Sequence, residues 1–330
     1  MTRFIVKVAP ERRPLARPFV IARGTITDVE FVTVKLTADG HTGWGESCPV
    51  PYFGESVEGV IALARETGKA LARGKDWLDI HDRCPPGAAR NALDCAWWDW
   101  QAKSRHIAAW ELLGLPKPVP TVTAFTIGID TPDTMGARAA AAAAKHSLLK
   151  IKLGTAGGDV ERIRAVRAAA PLATLIADAN EGWTVDDLAL AMPVLAECGF
   201  AMLEQPFKAG QDAALAGITR LMPIAADESC HVAADMARIA PFYDMVNVKL
   251  DKTGGLTEAL RLLDAARAAG KEAMVGCMLG TSLAMAPALL LAGRCRYADL
   301  DAPLLMGSDR DAALIYDGDR VSPPTPALWG

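Results

Sequence analysis

Three acidic residues stand at the ends of three successive β-rich runs: Asp178 in ATLIADAN (173–180), Glu204 in FAMLEQP (200–206) and Asp227 in MPIAADES (222–229). One such acid would be ordinary, since strand ends often carry a residue that caps the next helix. Three that converge repel one another unless a cation neutralises them. An all-oxygen donor set without His or Cys favours Mg²⁺, with Mn²⁺ as a substitute, over Zn²⁺. One ion per subunit is the expectation. Lysines surround this set. LLKIKLG (148–154) places Lys150 and Lys152 on one face of a strand, because strand side chains alternate. DMVNVKLD (244–251) ends in Lys249, and RCRYADLD (294–301) sets Asp299 and Asp301 on one face.

These groups act together only if their strands form a ring. Eight β-rich runs follow residue 120: TVTAFTIG, LLKIKLG, ATLIADAN, FAMLEQP, MPIAADES, DMVNVKLD, KEAMVGCM and RCRYADLD. Segments of helical period such as GGDVERIRAVRAAAP and LTEALRLLDAARAAG separate them. Strands alternating with helices at a spacing of about 25 residues predict a (β/α)₈ TIM-type barrel, whose chemistry sits at the C-terminal strand ends. In an eight-stranded ring the second and sixth strands are opposed, so Lys152 and Lys249 approach one bound molecule from two sides. Two bases on opposite faces of one carbon invert a stereocentre: one removes the proton and the other returns it from behind. A divalent ion on the substrate carboxylate stabilises the enediolate between the two steps. Desolvation and nearby positive charge lower a lysine pKa to about 7–8, where it serves as a base. Asn180 and Asn247 are expected to support the strand-end groups. Cys277 and Met278, ending the seventh run, are expected to floor the pocket or simply to pack.

The first part of the chain has a different pattern. DVEFVTVKLTADGHTGWGES (28–47) predicts a hairpin turning at Asp39-Gly40. ESVEGVIALARETGKALARG and NALDCAWWDWQAKS predict helices, the tryptophan cluster serving as core and interface. The expected organisation is an α+β capping module over residues 1–117, a barrel over 118–305, and a tail over 306–330 that returns to the module. GLPKPVP (114–120) is the linker. Pro193 interrupts one helical segment, as a kink or a late start. PFVIARGT (18–25) and GESCPVPYFGES (45–56) are candidate lid loops, by their Gly, Pro and aromatic content.

Composition excludes several classes. Net charge is −4 over 330 residues, 51% of them hydrophobic, without a basic run interleaved with aromatics. Nucleic acid is therefore not an expected partner. No signal-peptide core or spanning segment is evident, so neither is a membrane. Seven cysteines without CxxC pairs suit reduced thiols in the cytoplasm. The expected partner is a small molecule, and a homo-oligomer is compatible with the sequence.

The set KIK (150–152), DAN (178–180), EQP (204–206), DES (227–229), NVKLDKTGG (247–255) and DLD (299–301) resembles the enolase superfamily, muconate-lactonizing-enzyme subgroup. The acidic pair on the eighth strand resembles the dipeptide epimerases of the L-Ala-D/L-Glu type. The resemblance implies Asp178, Glu204 and Asp227 as metal ligands and Lys152 and Lys249 as acid/base catalysts. It implies that Asp299 and Asp301 hold the α-ammonium of a dipeptide and that Lys150 neutralises its metal-bound carboxylate. Arg23 resembles the arginine that meets a glutamate side chain, against the plainer reading of a surface arginine beside a hairpin. It further implies a place in peptidoglycan peptide metabolism. Within the subgroup, N-acylamino-acid racemases and o-succinylbenzoate synthases use the same metal and lysines, but their substrates carry no free ammonium. Mandelate-racemase-type relatives need a histidine at the seventh strand's end, and none of the five histidines falls there. A Schiff-base aldolase leaves the three carboxylates unexplained. A barrel that merely binds an anion would tolerate loss of Lys152. Glu228 alternates away from Asp227, and the sequence assigns it no role.

Overall fold

The computed structural model describes residues 2–155 and 157–330. The N-terminal module opens on a strand that the sequence does not advertise. β1 (Ile5–Ile21) pairs with β2 (Gly24–Ala38), and β2 with β3 (His41–Ser47), as an antiparallel meander. Charges and three prolines make β1 look like loop. It is an edge strand with a register shift between Pro14 and Phe19, and prolines are tolerated where the missing N–H faces away from the ladder. The β2–β3 turn falls at Asp39-Gly40, both with positive φ, as the tight hairpin requires.

Helices Val57–Ala72 and Ala88–Arg105 cover one face of this sheet. Gly43 and Gly45 on β3 permit a backbone-close approach: a Cβ at either would lie 2.1 Å from the carbonyl oxygen of Ala96 or Ala92. Helix Ala88–Arg105 carries the tryptophan cluster, and both neighbours claim it. Trp97 and Trp100 pack in the module's core with Phe4, Leu36 and Trp77. Trp98 donates its indole N–H to Thr257 Oγ1 of the barrel at 3.0 Å.

After β4 (Thr121–Val122) come β5 (Phe125–Ile127), β6 (Leu148–Lys152), β7 (Thr174–Asp178), β8 (Phe200–Glu204), β9 (Ile224–Ala226), β10 (Met245–Lys249), β11 (Glu272–Gly276) and β12 (Tyr297–Ala298). β5 to β12 form one parallel sheet in sequential order. The sheet curls until its ends meet: the Ala124 N–H donates to the Ala298 carbonyl at 2.8 Å. This is a TIM-type barrel architecture. The strand–helix alternation weakens in places. Only a 3₁₀ segment (Asp212–Gly217) follows β8, and short helices (Met236–Ile239 and Ala302–Leu305) follow β9 and β12. Gly210 and Gly217 break the apolar periodicity after β8. Pro193 lies inside helix Val185–Glu197, which starts on a Thr184–Asp187 capping box, so the late start does not occur.

Strand alternation sorts the barrel interior. Leu149, Ile151 and Leu153 face the outer helices and join the large core. Leu148, Ile176, Met202, Ala225, Met245 and Met274 fill the interior's lower layer. The next residues on the same faces are Lys150, Asp178, Glu204, Asp227 and Asn247, so polarity changes within one step. The tail contributes β13 (Tyr316–Asp317) and β14 (Arg320–Val321), which pair with β4. Its last residues reach the helix Ala88–Arg105, where Trp329 Nε1 donates to the Cys95 carbonyl at 3.0 Å. Among the described residues, no helix is long and apolar enough to cross a membrane.

Candidate active site

The five strand ends from β6 to β10 bring Lys152, Asp178, Glu204, Asp227 and Lys249 to one mouth, with Lys150 one step deeper on β6. All six side chains are buried. Lys150 sits where the acids converge: its Nζ lies 2.8 Å from Glu204 Oε2, 3.1 Å from Asp178 Oδ2 and 2.7 Å from Asp299 Oδ2. Lys152 Nζ donates to Asp178 Oδ2 at 2.7 Å and to Asn180 Oδ1 at 3.0 Å. Lys249 Nζ donates to Asp227 Oδ2 at 2.7 Å and stands 4.0 Å from Glu204 Oε1. The two mouth lysines thus engage different acids from strands four places apart in the ring.

The acids remain short of donors. Glu204 Oε2, Asp227 Oδ1 and Asp299 Oδ1 are buried without a partner in hydrogen-bonding geometry, although lysine nitrogens lie close to the first two. Buried carboxylates gathered around shared lysines, some of their oxygens without an aligned donor, are by chemistry the hard oxygen set a divalent cation takes. The residues present therefore fit such an ion. Among the described residues, however, no three His, Cys, Asp or Glu groups stand at metal-holding spacing, because ammonium groups lie between the acids.

Burial would lift Asp178 and Asp227, but the adjacent lysines outweigh it. Asp178 is held below its ordinary range by Lys152 and Lys150, and Asp227 well below by Lys249 and Lys252. Glu204 is pushed up by burial and by its acidic neighbours Asp178 and Asp227. Burial acts downward on Lys249, yet the charges of Asp227 and Glu204 overcome it and hold the ammonium well above its usual range. Lys150 is raised likewise by Asp299, Glu204 and Asp178 against its burial. With carboxylates as the dominant neighbours, the sign follows from Coulomb's law.

Asn247 and Asn180 reach the cluster as expected. Asn247 Nδ2 donates to Glu204 Oε1 at 2.7 Å, and Asn180 accepts from Lys152. A Cβ on Gly276 would stand 2.6 Å from Asn247 Oδ1, so the glycine on β11 leaves room for that amide. Asp301 Oδ2 accepts the Thr126 N–H at 2.6 Å and makes no cap for the helix it precedes. Burial and the neighbouring Asp299 push Asp301 up to about 7. Lys150, Lys152, Lys249, Asp299, Asp301, Cys277, Met278 and Arg23 all line one cavity of about 390 Å³. Its outer wall comes from the capping module, with Phe19, Ile21 and Ile26 of the β1–β2 hairpin and Tyr52 of the second loop. Tyr52 donates to Met278 Sδ at 3.7 Å, which makes Met278 a bridge between module and barrel.

Arg23 occupies the β1–β2 turn and is not a free surface group. Its Nη2 lies 2.5 Å from Glu181 Oε2 and 2.7 Å from Glu228 Oε1. Two further residues, to which the sequence pattern assigns no role, brace the cluster. Lys252, fully buried, donates to the carbonyls of Asp227, Cys230 and Asn247 at 2.5, 3.0 and 2.9 Å and contacts Asp227 Oδ1 at 2.6 Å. Gln205, at φ +34°, accepts the N–H groups of Asp227 and Ser229 and donates to Ser229 and Tyr243. Both lie inside motifs that the sequence displays, NVKLDKTGG and EQP; the available signal for Lys252, which lies in the short helix Leu250–Thr253 after β10, was a second lysine three residues beyond Lys249.

Residues 3–114 match the mandelate racemase / muconate lactonizing enzyme N-terminal domain, and residues 134–315 match the enolase C-terminal domain-like family. The chain belongs to the enolase superfamily. Within it, the chain is 46% identical over 312 residues to an L-Ala-D/L-Glu epimerase of Escherichia coli K12, covering 94% of this chain and 97% of that one. It is 40% identical to an N-acetyl-D-glutamate racemase of a Pseudoalteromonas species, over 91% and 95% of the two chains. An enolase family member from Agrobacterium tumefaciens with homology to dipeptide epimerases superposes with a TM-score of 0.96 at 48% identity, over 99% of this chain and all of that one; its crystal structure holds sodium and L-Ala-L-Glu with an ordered loop. A dipeptide epimerase from Cytophaga hutchinsonii, crystallised with Mg and D-Ala-L-Val, superposes with a TM-score of 0.92 at 28% identity, over 98% and 94% of the chains. These enolase-superfamily relatives include epimerases and racemases, isomerases of amino-acid derivatives.

Proposed function

We propose that this protein epimerises the C-terminal residue of a dipeptide, of the L-Ala-D/L-Glu type, by two-base 1,1-proton transfer. The observation that carries the reading is the opposed pair Lys152 and Lys249, on β6 and β10, flanking one buried carboxylate cluster. Asp178, Glu204 and Asp227 would hold one Mg²⁺ per subunit, with Mn²⁺ as a substitute. An ion held there would supply Lewis-acid stabilisation of the charge that builds on the substrate carboxylate. Lys152 Nζ takes the α-proton from one face and Lys249 Nζ returns one from the other; the roles exchange for the opposite epimer. Lys150 adds a fixed positive charge beneath the substrate carboxylate. Asp299 and Asp301, on one wall of the same cavity, hold the dipeptide's ammonium. Arg23, at the far wall, meets an acidic side chain. Cys277 and Met278 limit the cavity's depth, and Asn180 and Asn247 orient Lys152 and Glu204.

We divide the chain at residues 117 and 305 into capping module, barrel and tail. Seven free cysteines suit a reducing cytoplasm, and peptidoglycan peptides are the source of substrate we propose. The test is α-proton exchange in D₂O, followed by mass spectrometry, with L-Ala-L-Glu and a panel of other dipeptides. Exchange at the C-terminal α-carbon is expected, and no exchange with any dipeptide ends the proposal. The likeness to an N-acetyl-D-glutamate racemase favours a second reading, racemisation of an N-acylamino acid. N-acetyl-glutamate in the same assay separates the two, because it lacks the ammonium that Asp299 and Asp301 would hold.

A further inference from the structure

Arg23 is shared before any substrate arrives. Both acids that hold it come from barrel strand ends: Glu181 follows β7 and Glu228 follows β9, directly after Asp227. Its guanidinium also lies 4.1 Å over the Tyr52 ring, which fixes the plane of the fork. One guanidinium is thus already shared by two carboxyl groups. A dipeptide whose terminal side chain ends in a carboxylate would be the third anion on a single cation. The Glu228 side chain is 1% exposed, and its Oε2 is buried without a partner, so solvent screens its charge poorly. Glu181 is more exposed, and its Oε1 is occupied by the Ala209 N–H at 2.7 Å.

We propose that Glu228, with Glu181 behind it, is a specificity-determining residue that weakens the site's preference for an acidic C-terminal side chain by competing for Arg23. The inference rests on the dipeptide reading above. It gives a defined role to Glu228, to which the sequence assigned nothing. That side chain keeps Arg23 aimed into the cavity while neutralising part of its charge. Glutamine at this position keeps an acceptor for the guanidinium and removes the competing charge. The orientation of Arg23 is thereby retained, and its attraction for a substrate carboxylate rises.

The experiment compares kcat/KM for L-Ala-L-Glu with that for the neutral, similarly shaped L-Ala-L-Gln, using the full-length Mg²⁺-loaded protein. Glu228→Gln is expected to raise the Glu/Gln ratio about tenfold, through KM for L-Ala-L-Glu and not through kcat. Glu181→Gln is expected to raise it about threefold, because its charge is better solvated. A ratio that stays unchanged or falls in Glu228→Gln overturns the proposal, since Glu228 would then only hold Arg23 in place. Should Glu228→Gln be folded but inactive on both dipeptides, the same ratio is read from calorimetric affinities. Should it fail to fold, Glu181→Gln decides by the same rule. If the unaltered protein exchanges neither dipeptide, the epimerase reading falls; if it exchanges both and the variants do not shift the ratio, only the role of Glu228 does.

Discussion

Two parts of this molecule bury carboxylates, and they treat them in opposite ways. At the seam between capping module and barrel, each acid is met by donors that match it. Asp94 accepts from Trp77 Nε1 at 2.7 Å and from the N–H and Oγ1 of Thr257 at 2.9 and 2.6 Å. Asp251 accepts from Ser47 Oγ, the Cys48 N–H and Asn91 Nδ2. Glu46 takes the N–H and Oγ1 of Thr281 and Nη2 of Arg310. At the barrel mouth the acids face long-stemmed lysines and each other. Among the described residues, the buried carboxylate oxygens without a hydrogen-bond partner belong to Glu204, Asp227, Glu228 and Asp299, all at or beside that mouth. Directional donors fix a geometry, whereas long-stemmed ammonium groups balance charge and leave some carboxylate oxygens without an aligned donor. The seam fixes its acids in place, and the mouth concentrates charge.

The contrast is open to direct attack. The largest effect is expected from a chelator: EDTA should abolish α-proton exchange, and Mg²⁺ or Mn²⁺ should restore it, while far-UV circular dichroism stays unchanged. Activity that survives exhaustive chelation would break the assignment of the mouth. Next, Lys152→Ala and Lys249→Ala should each cut turnover by about 10³-fold, near the middle of what a positioned acid or base contributes. Each variant should fail at a different step, visible as loss of deuterium wash-in from one epimer only. At the seam the order reverses. Asp94→Ala should cost about 2–3 kcal/mol of stability in urea denaturation, because buried donors from Trp77 and Thr257 lose their charged acceptor. The kcat of the folded fraction should be unaltered. Glu204→Gln, by contrast, should shift stability by under about 1 kcal/mol while removing Mn²⁺ affinity in calorimetry.

The smallest effect is a pH limb. Asp301 has its carboxyl raised to about 7 in the folded protein, so below that pH it is protonated and cannot pair with an ammonium. Binding of dipeptides should therefore strengthen as pH rises through about 7, and Asp301→Asn should remove the limb from KM. The stability sign is opposite. A raised acid favours the folded state at low pH, and that contribution is lost as pH rises from its unfolded value through about 7. A KM that is flat with pH in the unaltered protein would contradict the role given to Asp301.

The chemistry-bearing residues were legible because a strand end has a fixed face and the barrel has a fixed order. Lys152, Asp178, Glu204, Asp227 and Lys249 each end a short apolar run, and the structure brings those ends together. The hairpin turn at Asp39-Gly40 was legible for the same local reason. β1 was not, since its charges and prolines have meaning only at a sheet edge. The short helices after β8, β9 and β12 were not either, because the alternating pattern survives in outline while the helical periodicity fails.

Local sequence by itself determined which side chains share a face, and therefore which acids and lysines a closed ring would concentrate. It also determined, through the absence of His and Cys among them, the hardness of the donor set. Only the tertiary structure decided how the charges pair. That Lys150 bridges three acids, that Lys252 braces Asp227, and that Arg23 is claimed by Glu181 and Glu228 are contacts between residues far apart in the chain. Coulomb interactions depend on distances that no local pattern encodes. For that reason the gathering of these side chains was readable from the chain, while the partners of its lysines and of its arginine were not.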